Sequence, residues 1–117
     1  MIKVKVEKSE DGKTLILTLE GHAGQAEVGK DIVCSAASIL AYSTAQMVTK
    51  MQEEGKLKKR PHIRLEEGNA TITCKPSKGH YAEALHIYSF AQTGYELLQN
   101  SFPENVQISL VRLDALI

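Results

Sequence analysis

Few of the usual markers of secreted, membrane-bound or nucleotide-dependent proteins occur in this sequence. It has only two cysteines, Cys34 and Cys74, forty positions apart and outside any CxxC pair. A zinc site built on those two thiols would have to recruit scattered histidines, and in a reducing compartment a disulfide between them is not expected. No metal is therefore expected. A basic excess is also missing, since 14 Lys and Arg balance 14 Asp and Glu. That argues against direct nucleic-acid binding. No apolar run reads as long enough to span a bilayer, so no membrane partner is expected. The opening residues, MIKVKVEKSE, alternate lysine with aliphatic side chains instead of forming the continuous apolar stretch of a signal peptide. A cytoplasmic protein is the expectation. Neither GxGxxG nor a glycine loop ending in Lys-Ser/Thr is present, and no cofactor is expected.

What remains is enough for one folded unit. The chain has 117 residues and is 43% hydrophobic, which suits a single domain over residues 1–117 with a real core. Ile2, Val4 and Val6 alternate with charged residues, the period-two pattern of a half-buried strand. Asp11-Gly12 marks a hairpin, and residues 14–20 continue as a second strand with Leu15, Leu17 and Leu19 on one face. Ile16 breaks that alternation and suggests that the opposite face is partly covered. From Ile32 the spacing turns helical, with Val33, Ala36, Leu40, Thr44, Met47 and Met51 in one stripe widened by Ala37 and Val48. Gly55 ends this helix.

Residues 56–60 (KLKKR) form a basic connector, read as solvated. Residues 62–65 and 70–74 make a second strand pair joined by Glu66-Glu67-Gly68-Asn69. A helix follows over residues 81–100, then a last strand carrying Val106, Ile108 and Leu110. The order β-β-α-β-β-α-β predicts an α+β fold, two helices packed on a largely antiparallel sheet. The second helix has two apolar stripes. One holds Tyr81, Ala84, Leu85, Tyr88, Ala91, Tyr95 and Leu98; the other holds Ile87, Phe90 and Leu97. One sheet contact does not bury both, which predicts a homodimer.

The chemistry concentrates near Cys34. Residues 21–30 (GHAGQAEVGK) hold three glycines in ten positions and read as a mobile loop. With Asp31 as the N-cap, Cys34 falls in the first helical turn, where unpaired N–H groups stabilise a thiolate and can hold an oxyanion. His22, twelve positions upstream at the end of the second strand, can approach the sulfur as a base. Asp31 could orient that imidazole instead of capping the helix, and the residues leave the choice open. Ser38, one turn beyond Cys34, shares its helix side. Cys74, in register with Ile72 on a strand, reads as core filler, and His62, His80 and His86 as ordinary surface histidines.

Gly21-His22-Ala23-Gly24, Gly29, Asp31-Ile32-Val33-Cys34 and Ser38 resemble, at this spacing, the ribosomal-processing cysteine protease family. The resemblance implies a cytoplasmic, homodimeric cysteine endopeptidase. Its substrate would be a large-subunit ribosomal protein precursor, which loses a short N-terminal extension by cleavage after an aromatic residue, in support of ribosome assembly. It places a catalytic dyad at Cys34 and His22, with motif residues Gly21, Asp31 and Ser38. It also implies a substrate-covering loop that includes Ala23, Gly24, Gln25, Glu27 and Gly29. The alternative from a different class is a non-catalytic, ribosome-associated binding module. Thiol alkylation against pH separates the two, since a peptidase thiol reacts well below pH 8 and an ordinary one does not.

Overall fold

The computed structural model describes residues 1–22 and 32–111. Their order is β1 (Ile2–Lys8), β2 (Leu15–Glu20), α1 (Ile32–Glu53), β3 (His62–Glu66), β4 (Asn69–Cys74), α2 (Tyr81–Ser101) and β5 (Val106–Val111). The five strands form one sheet in the order β3-β4-β2-β1-β5. Three of the four pairings are antiparallel, and β5 joins β1 in parallel. The α+β architecture read from the sequence is the one observed.

Alternation explains which face of the sheet is covered. Val4 faces Leu19 and Val6 faces Leu17 across the first hairpin, while Leu17 faces Ile72 and Leu15 faces Cys74 across β2 and β4. All six are buried. Lys3, Lys5, Thr18 and Thr71 point the other way, on a polar face that neither described helix covers. Ile16 lies on that face and is half-buried. The first hairpin is closed by the Asp11 carboxylate, which accepts the Ser9 hydroxyl and the Lys13 N–H.

Both helices cover the apolar face. On α2 the buried set is Ala84, Leu85, Tyr88, Ala91, Gln92 and Tyr95, close to the expected stripe. The Tyr88 hydroxyl donates to the Ile72 carbonyl at 2.9 Å, and Tyr95 donates to the Ala37 carbonyl on α1 at 2.9 Å. These bonds satisfy the polar ends of two large buried rings.

The α1 stripe needs correcting. Val33, Ala37, Ala41, Thr44, Ala45, Val48 and Met51 are buried, whereas Ala36 and Leu40 are half-buried and Met47 is exposed. Alanines let α1 sit close over the sheet, and the bulk of Leu40 turns instead toward α2. There it lies against Gly94, where a β-carbon would come within 2.7 Å of Leu40 Cδ2. The expectation about bilayer-length segments is corrected as well. By length and composition α1 could cross a membrane, but its buried stripe makes it a core helix of this fold. It ends in paired bonds, Gly55 N–H to the Gln52 carbonyl and Lys56 N–H to the Met51 carbonyl, the Schellman arrangement.

Candidate active site

The first turns of α1 and one end of the sheet enclose a cleft of about 530 Å³. Its floor comes from Ile2, Leu19 and Ala70 on the covered face, with Leu65 beside Ala70 by register. One wall is α1, which contributes Cys34, Ser38, Ala41 and Tyr42 at helical spacing. The opposite rim is the β3–β4 turn, Glu66 to Asn69, together with Gly21 and His22 where β2 ends.

Cys34 stands in the first turn of α1 as described and is half-buried, with the core behind it and the cleft in front. Cys74, the other thiol, is 1% exposed. Burial pushes its pKa up to about 11, and the neighbouring Tyr88 hydroxyl offsets part of the rise. Only one of the two sulfurs therefore opens on a cleft.

His22 is exposed and lines the same cleft as Cys34. It follows Gly21, whose φ of +95° is strained for any residue with a side chain. A β-carbon at Gly21 would also collide with the Met1 carbonyl oxygen. The Gly21 N–H donates to the Gly68 carbonyl at 2.9 Å, which ties the end of β2 to the β3–β4 turn. Glycine at position 21 is thus a requirement of the local geometry.

The structure brings together Gly21, His22, Cys34 and Ser38 from the residues singled out in the sequence. Asp31 and the loop residues Ala23, Gly24, Gln25, Glu27 and Gly29 lie outside the described residues, as does the choice between capping and orienting roles for Asp31. The basic connector, residues 56–60, contributes nothing to the cleft lining, and Lys56 pairs instead with Glu54 and Glu83. Among the described residues, no three His, Cys, Asp or Glu side chains gather as a metal site.

Sequence reasoning missed Tyr42, Leu65, Gly68 and Asn69. Tyr42 was within reach of it, because it stands one turn beyond Ser38 on the same side of α1. The other three enter through the pairing of β2 with β4, which sets Glu20 opposite Asn69. No local pattern reports that register.

The family model described as cysteine protease Prp matches residues 1–107. The chain belongs to the cysteine protease Prp family. The match spans every residue that lines the cleft. The ribosomal processing cysteine protease Prp of Staphylococcus aureus is 23% identical over 109 residues, covering 93% of this chain and 98% of that one. Two crystal structures of S. aureus Prp share the fold. The one in complex with a covalently linked product peptide superposes with a TM-score of 0.70 at 23% identity, over 94% of this chain and 99% of that one. The one with a substrate peptide gives 0.67 at 21% identity, with the same coverage.

Proposed function

We propose that this cysteine peptidase works through a Cys34–His22 dyad and removes a short N-terminal extension from a large-subunit ribosomal protein in the cytoplasm. The observation that carries the assignment is the shared cleft: Cys34 and His22 both line it, while the second thiol, Cys74, is sealed in the core.

In this reading the His22 imidazole takes the thiol proton and the Cys34 sulfur bonds to the peptide carbonyl carbon. N–H groups of the first α1 turn stabilise both the thiolate and the oxyanion that follows. The C–N bond then breaks as His22 returns the proton to the leaving amine, leaving a thioester. Water, deprotonated by His22, releases the acid and restores the thiol. Ser38 lies one turn along α1, where its hydroxyl can bond a substrate carbonyl. Asp31 serves the dyad as a cap or as an orienting carboxylate, and the loop 23–30 covers the bound peptide. Tyr42, Leu65 and Ala70 supply apolar walls suited to an aromatic side chain beside the cut.

The test uses the extended ribosomal protein as substrate. Cys34→Ala abolishes cleavage, and His22→Ala lowers the rate by about 10²–10⁴-fold, the usual worth of a general base. Cleavage by Cys34→Ala would refute the dyad.

The homodimer belongs to the same proposal. Phe90 and Leu97 are 76% and 62% exposed and flank Gly94 on α2. On α1, Ile39 and Met47 are 60% and 45% exposed beside Leu40, which packs against that glycine. Together they make one apolar patch across both helices, with Tyr42 one helical turn from Ile39 at its edge. A second copy is seated on this patch.

A further inference from the structure

We infer that Gly68, in the β3–β4 turn, is a positioning residue for His22: the bare α-carbon is the seat against which the imidazole rests. The inference builds on the dyad reading. Glu66 pairs with Asn69, so Glu67 and Gly68 form a two-residue turn, and it projects into the cleft rim. A β-carbon at Gly68 would fall 2.8 Å from His22 Nε2, 3.2 Å from Cε1 and 3.6 Å from Cδ2. The first of these is well inside van der Waals contact, so any side chain at 68 drives the ring off its present place.

Two further features bind the seat to the histidine. The Gly68 carbonyl accepts the Gly21 N–H at 2.9 Å, so the turn is bonded to the residue just before His22. Asn69 and Glu20 are register partners, which fixes the height of the turn relative to the end of β2. Turn, strand end and imidazole therefore form one assembly, and the turn lines the same cleft as Cys34. A displacement of the ring of about 1 Å is enough to cost on the order of 10²-fold in rate.

Gly68 also has a φ of +74°, so a substitution there strains the backbone whatever it does to the ring. Gly55 separates the two effects. Its φ is +73°, yet a β-carbon there meets nothing within 4 Å. Gly68→Asn adds a second control, because asparagine tolerates positive φ but still carries a β-carbon.

The experiment compares wild type, Gly68→Ala, Gly68→Asn, Gly55→Ala and His22→Ala. Its readouts are thermal unfolding, the pH profile of kcat/KM on the precursor peptide, and the imidazole NMR signals of His22. Gly68→Ala and Gly55→Ala should show similar falls in Tm. Only the two Gly68 variants should shift the His22 signals, move the acidic limb of the pH profile and lose about 10–100-fold in kcat/KM. Wild-type His22 signals and pH profile in Gly68→Asn, with His22→Ala inactive, would overturn the seat and leave the dyad standing. Full activity in His22→Ala would overturn both.

Discussion

At the scale of single residues, the two cysteines show how position in the fold sets thiol chemistry. Cys34 borders a cleft at a helix start, while Cys74 is buried between Leu15 on β2 and Tyr88 on α2. Burial lifts the Cys74 thiol from its ordinary 9.0 to about 11. Unfolded chains release that proton near pH 9, while the folded protein holds it until about 11. The unfolded state thus binds fewer protons between those values, and stability present below pH 9 is lost as the pH rises toward 11. Two pH units correspond to about 3 kcal/mol at most. Tyr88 and Tyr95, whose hydroxyls burial also pushes up, add to the alkaline loss. Urea unfolding from pH 8 to 11 should show the decline, and Cys74→Val should flatten it. An unchanged slope in that variant would assign the effect elsewhere.

Among the secondary-structure elements, α1 links core and chemistry. It carries Cys34, Ser38 and Tyr42 on one side and its alanine-rich stripe on the next, so its seating on α2 governs where the sulfur stands. The Tyr95 hydroxyl on the Ala37 carbonyl is one bond that holds this seating. Tyr95→Phe should cost about 1 kcal/mol in chemical denaturation, the usual net worth of such a bond. A loss near zero would mean that packing alone sets the helix.

What the sequence revealed, and what it hid, also divides at this scale. Strands β1 and β2 were legible because Ile2, Val4, Val6, Leu15, Leu17 and Leu19 follow a strict period of two. The α1 stripe was misjudged because alanine suits either face of a helix, so Ala37, Ala41 and Ala45 gave no strong signal against Leu40 and Met47. The cysteine motif announced the α1 wall of the cleft, and the glycine-histidine motif the part of the rim where β2 ends. Leu65, Gly68 and Asn69 depend on the pairing of strands separated by a whole helix, which no local periodicity encodes.

For the whole molecule, the apolar patch over α1 and α2 makes the proposed dimer testable. Phe90→Asp with Leu97→Asp should halve the mass measured by light scattering while the circular dichroism spectrum stays that of the folded protein. An unchanged mass would send the interface elsewhere. The side of the sheet opposite the two helices has a practical consequence. Lys3, Thr18 and Thr71 lie on it, behind the layer that holds the cleft. A fluorophore or surface tether attached there would leave the cleft and the helices turned toward solution, which makes that face the natural handle for an immobilised assay.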